Sequence, residues 1–110
     1  MDIQLKRGLL EVCVLAVLRR GDSYGYQIIK DVGSCIAISE STLYPILKRL
    51  ESGQMLTVYA VEHNGRLRKY YRITASGEQK IEDFKLEWKE IMSVYSLINE
   101  ERKDAPYDQI

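Results

Sequence analysis

The chain is short of the side chains that most active-site chemistry requires. Of its 110 residues one is histidine, His63, and two are cysteines, Cys13 and Cys35. A lone imidazole assembles no nucleophilic triad, and two thiols without C-x-x-C spacing form no zinc cluster. Neither a glycine-rich phosphate loop nor an H-E-x-x-H helix is present. Glu87 and Glu90 are flanked by Lys85 and Lys89 and read as a solvated helix face. No enzymatic activity, cofactor or metal is expected. Long apolar runs are missing too. Leu9 to Leu18 is broken by Glu11 and falls well short of the ~20 residues that span a bilayer, so no membrane contact is expected. No secretory leader is evident, and both cysteines sit among apolar neighbours, which suits reduced core thiols in a cytoplasm. Net charge is also missing, since 16 basic residues balance 16 acidic ones.

The distribution of charge is more informative than its sum. Ser39 to Arg72 holds six cations against three acids, whereas Ile73 to Ile110 holds five against nine. A basic middle beside an acidic end points to one surface for an anion and another for different work.

Hydrophobic spacing then divides the chain. Ile3 to Leu18 reads as a helix apolar on nearly all sides, with Leu5, Leu9, Val12 and Ala16 on one stripe and Leu10, Val14 and Val17 on another; such a helix needs cover on more than one face. A second helix, Tyr24 to Val32, is expected after a cap at Asp22 or Ser23, and Cys35 to Ile38 reads as a short strand. Ser39 is suited to cap a third helix through its hydroxyl. In that helix Leu43, Ile46, Leu47 and Leu50 make one stripe for burial, and Ser41, Thr42, Tyr44, Pro45, Lys48 and Arg49 point elsewhere. Donors, an aromatic ring and two cations on one helix face match what a DNA major groove receives.

Beyond Gly53 the period changes to that of strands. Thr57 to Glu62 and Leu67 to Ile73 flank Asn64-Gly65, a pair suited to a type I′ turn because both residues there need positive φ. Arg66, Arg68, Lys69 and Arg72 follow with no intervening acid, which makes the returning strand a basic edge fit to lie along phosphates. Thr74 is suited to cap a last helix reaching about Asn99. Within it Ile81, Phe84, Trp88, Ile91, Tyr95 and Ile98 alternate steps of three and four, a heptad seam that seeks a partner. Pairing with a second copy, with Leu9 of the first helix alongside, accounts for both the seam and the two-sided first helix. Glu100 to Ile110 has charges, Pro106 and no apolar period, and reads as a frayed tail.

The order helix, helix, strand, helix, basic hairpin and long helix defines a mainly α fold with a small β-hairpin wing: a winged helix-turn-helix plus a C-terminal helix, built as a homodimer. The expected divisions are 1–73 for DNA binding, 74–99 for dimerisation and 100–110 for the tail. Three pieces make the chain resemble the PadR family of bacterial transcriptional regulators, particularly its short subfamily. They are Gly21-Asp22-Ser23-Tyr24-Gly25-Tyr26; Thr42-Leu43-Tyr44-Pro45 with Leu47, Arg49, Leu50 and Glu51; and Gly65-Arg66 leading into Arg68-Lys69-Tyr70-Tyr71-Arg72-Ile73-Thr74. One departure is Leu67, where the family often has proline, leaving a looser wing tip.

The resemblance implies a cytoplasmic homodimeric repressor on an inverted-repeat double-stranded DNA operator. Ser41, Thr42, Tyr44 and Lys48 would face the groove, Arg49 a phosphate or a packing partner, and Asn64, Arg66, Arg68 and Lys69 the backbone or minor groove. Tyr70 and Tyr71 read as packing residues. It also implies a candidate site for a small aromatic effector at Trp88, with Met92 on the next turn. Two other functions fit the same pattern: a winged-helix dimer that binds protein instead of DNA, and a small-molecule carrier built around Trp88.

Overall fold

The structure, a computed structural model, describes residues 1–102. The tail expected from residue 100 therefore lies, from 103 onward, outside the described residues. Four helices and one hairpin follow in the order α1 (Ile3–Arg20), α2 (Gly25–Gly33), α3 (Glu40–Ser52), β1 (Leu56–His63), β2 (Arg66–Ile73) and α4 (Ala75–Ile98).

Helix α1 is the central beam. Asp2 caps it, its carboxylate accepting from the N–H groups of Gln4 and Leu5, and Arg19 and Arg20 end it where cations suit the negative helix terminus. Leu10, Val14, Leu15, Val17 and Leu18 are buried against Ile28 and Val32 of α2 and Leu43, Ile46, Leu47 and Leu50 of α3. The expected α3 stripe is thus wholly inside. Leu56, Tyr71 and Ile81 close the same core from the hairpin and from α4.

The hairpin follows its turn chemistry. Asn64 and Gly65 have φ of 52° and 79°, and the antiparallel register runs from His63 opposite Arg66 to Leu56 opposite Ile73. Thr74 then caps α4, its hydroxyl accepting from Gly77 N–H and donating to the Gln54 carbonyl. One side chain therefore fixes both the start of α4 and its docking on the chain leaving α3.

Four local expectations are corrected, the first being that both thiols lie in the core: Cys13 is half-buried and Cys35 is exposed. Cys35 to Ile38 is not a strand: the N–H groups of Cys35 and Ile36 both bond to the Val32 carbonyl, closing the end of α2, so they are not free to pair in a sheet. The third sheet position is taken by Ser23, which exchanges two backbone bonds with Tyr71. For the same reason neither Asp22 nor Ser23 caps α2; Tyr24 occupies the cap position without a side-chain bond. Ser39 does occupy the cap of α3, but only its carbonyl accepts from the N–H groups of the first turn, while its hydroxyl hydrogen-bonds the Ser41 and Thr42 hydroxyls at 3.0 and 3.2 Å.

Candidate nucleic-acid interface

With the stripe of α3 buried, its other side is left outward: Ser41, Thr42, Tyr44, Lys48 and Arg49 are all exposed. The first turn of α3 is held by the Ser39 carbonyl, which accepts from Thr42 and Leu43. Pro45 offers no N–H to the Ser41 carbonyl one turn back.

The wing comes to the same place. Tyr44 of α3, Arg68 and Lys69 of β2, and Tyr24, Gly25 and Tyr26 at the start of α2 line one cleft of about 550 Å³, with Tyr71 behind. The structure thus unites residues from three separate stretches of sequence on one surface.

The cations are not equivalent. Arg49 Nε lies 2.6 Å from Glu11 Oε2 on α1, and Lys80 of α4 approaches the same carboxylate at 3.9 Å. Glu11 is partly buried, so this pair ties α3 to α1 and fits the packing role for Arg49 better than a phosphate contact. Arg72 is tied as well, its guanidinium on Asp22 at 2.9 and 3.0 Å. Arg68 lies 4.0 Å above the Tyr24 ring, held by a cation–π contact. Lys48, Arg66 and Lys69 form no ion pair among the described residues. Asn64 takes the left-handed corner of the turn.

A ladder of rings supports the wing from beneath. Tyr24 meets Tyr70 edge-on at 5.5 Å, Tyr70 stacks on its cross-strand partner Tyr59 at 5.7 Å, and Arg72 covers Tyr59. The Tyr59 hydroxyl donates to Asp22 at 2.6 Å. Together with Arg72, that bond holds the Asp22 carboxyl below the usual carboxylate range, and it pushes the Tyr59 hydroxyl up. Burial pushes the Tyr71 hydroxyl up as well. The packing roles of Tyr70 and Tyr71 follow from these contacts. The sequence reading missed Asp22 and Tyr59 as wing supports, although centring the hairpin on Asn64-Gly65 already places Tyr59 opposite Tyr70.

The heptad seam divides in two. Ile81 is buried in this chain's own core, packed with residues of α1, α2, α3 and the hairpin, so it is not available to a partner. Phe84 and Trp88 stack at 5.8 Å, and from Trp88 onward the seam is open: Trp88, Ile91, Tyr95 and Ile98 are 41, 44, 54 and 74 % exposed. Between α1 and α4 runs an open groove of about 970 Å³ whose apolar lining includes Leu5, Leu9, Val12, Phe84, Trp88 and Ile91. Met92 does not line it.

A helix-turn-helix whose third helix faces outward beside a basic two-stranded wing defines a winged helix-turn-helix protein. The model of the PadR-like family of transcriptional regulators matches residues 14–83, and the chain belongs to that family. Its structure superposes on a transcriptional regulator from Clostridium thermocellum with a TM-score of 0.81 and 31 % identity, covering 91 % of this chain and 99 % of that one. A protein from Streptococcus mutans UA159 is 41 % identical with a TM-score of 0.75, covering 89 % and 94 %. A PadR-like transcription factor from Bacteroides fragilis is 33 % identical with a TM-score of 0.77, covering 86 % and 94 %. The protein is a DNA-binding transcriptional regulator and not an enzyme. No helix among the described residues is long and apolar enough to cross a membrane.

Proposed function

We propose that the chain acts in the cytoplasm as a homodimeric repressor on an inverted-repeat operator. In this division of labour residues 1–73 bind DNA and 74–99 dimerise. Ser41, Thr42, Tyr44 and Lys48 enter the major groove, and Asn64, Arg66, Arg68 and Lys69 follow the backbone or minor groove. The observation that carries this reading is the shared cleft of Tyr44, Arg68 and Lys69, which puts a groove-reading ring beside phosphate-binding cations. Dimerisation is supported by the row Trp88, Ile91, Tyr95 and Ile98, four large side chains left open on one helix face. A two-fold dimer matches the symmetry of an operator whose half-sites lie about one helical turn, ~34 Å, apart.

Titration into a duplex from the chain's own upstream region, at several salt concentrations, tests the reading. Affinity falls steeply with salt, and Arg66→Ala or Lys69→Ala each flattens the logarithmic slope by about 1. Tyr44→Ala alters sequence preference and leaves the slope alone. Absence of binding at low salt refutes the proposal.

The groove between α1 and α4 favours one addition, an apolar aromatic effector seated against Trp88. Such a ligand changes operator affinity only through different affinities for two arrangements of the dimer. Quenching of the single tryptophan by planar aromatics, together with weaker operator binding, is the expected result; quenching with unchanged operator affinity marks a carrier.

A further inference from the structure

Gly25 opens α2 and is buried, yet its backbone does not require glycine. The left-handed φ values of the described residues fall at Gln54, Asn64 and Gly65 and not at Gly25. Glycine weakens a helix relative to alanine, so its presence needs another cause. That cause is the side chain of Tyr44. A Cβ on Gly25 would lie 2.5 Å from Tyr44 Oη, 3.2 Å from Cζ and 3.5 Å from Cε1, so the ring's far end occupies the room that any larger residue would fill.

We infer that Gly25 is a positioning residue for DNA readout: its missing side chain forms the seat that holds the Tyr44 ring across the start of α2. The inference rests on Tyr44 as a groove contact. Seated there, the ring shares the cleft with Arg68 and Lys69 while 46 % of Tyr44 stays exposed. A seated ring presents one edge to the groove, whereas a free tyrosine samples several rotamers and loses that aim.

The same geometry separates aim from stability. The atoms a new Cβ would meet at Gly25 belong to the end of a half-exposed side chain, which swings away cheaply. At Gly77 a Cβ would instead overlap the Met55 carbonyl and the Ile73 side chain, and a backbone carbonyl does not swing away. Gly25→Ala therefore redirects Tyr44 in a folded protein, and Gly77→Ala disturbs the docking of α4.

The experiment compares wild type, Gly25→Ala, Tyr44→Phe and the double variant on two duplexes, one from the upstream region and one of random sequence, with Tyr44 ring resonances followed in ¹³C-tyrosine-labelled protein. Gly25→Ala shifts the ring signals, loses about tenfold in affinity for the upstream duplex, and keeps wild-type affinity for the random duplex and the wild-type salt slope. Removing Oη relieves the nearest contact, so the double variant binds within about twofold of Tyr44→Phe alone. Equal losses on both duplexes, or losses that multiply in the double variant, overturn the inference. Unmoved ring signals in Gly25→Ala overturn it while wild-type binding upholds the DNA reading. A wild type that binds neither duplex overturns both.

Discussion

The body of the molecule and the outer half of α4 spend their apolar residues in opposite ways. In the body, Leu15, Ile28, Leu43 and Leu47 are all within 2 % of complete burial, and a single core joins α1, α2, α3, the hairpin and Ile81. From Trp88 outward, α4 has residues of the same kind and leaves them in water. The helix is 24 residues, roughly 36 Å long, yet among the described residues Ile81 is its one side chain in the buried hydrophobic core. One sequence pattern, an apolar stripe at helical spacing, thus has two destinations. In α3 the stripe completes the fold of one chain. In outer α4 it stays exposed, and a second copy is the cover we propose for it.

The widest separation between the two regions comes from truncating a core leucine. Leu47→Ala removes a side chain that is 2 % exposed and costs about 2–5 kcal/mol of folding free energy, read by urea denaturation. Trp88→Glu acts on the other region. It places a charge in the open seam, and sedimentation shows a monomer whose thermal midpoint no longer rises with protein concentration; a dimer that survives this change removes outer α4 from the contact. The smallest effect lies in the body. Asp22 has a lowered pKa in the folded chain, so its bonds to Tyr59 and Arg72 are intact above the unfolded value of ~3.9 and are lost only as pH falls through the lower, folded value. Tyr59 ring signals followed by NMR from pH 7 downward stay constant through the unfolded carboxylate value of ~3.9 and move only below it, and Asp22→Asn removes the step.

The four helices, the hairpin, the α3 stripe, the type I′ turn and the Thr74 cap were legible in sequence because each depends on local chemistry or a clear period. Ile81 was misassigned to the dimer because periodicity shows a stripe and not how many turns of it the chain's own core takes. The short strand failed for a related reason: Cys35 to Ile38 has strand composition, but the end of α2 claims its first two N–H groups. Within the site, the residue types of the wing were readable and their partners were not. Arg49 and Arg72 look like Arg66 in sequence, and only Glu11 and Asp22, distant along the chain, separate the tied cations from the free ones. Gly25 was readable as part of a motif, while its cause lay across the fold at Tyr44.

We propose that the exposed half of α4 joins two copies into a single symmetric DNA reader. Native mass spectrometry of the protein with one upstream duplex counts the chains on the DNA. Two chains bound per duplex, with no complex holding one chain at any protein concentration, is the predicted result. A stable complex of one chain on one duplex contradicts it.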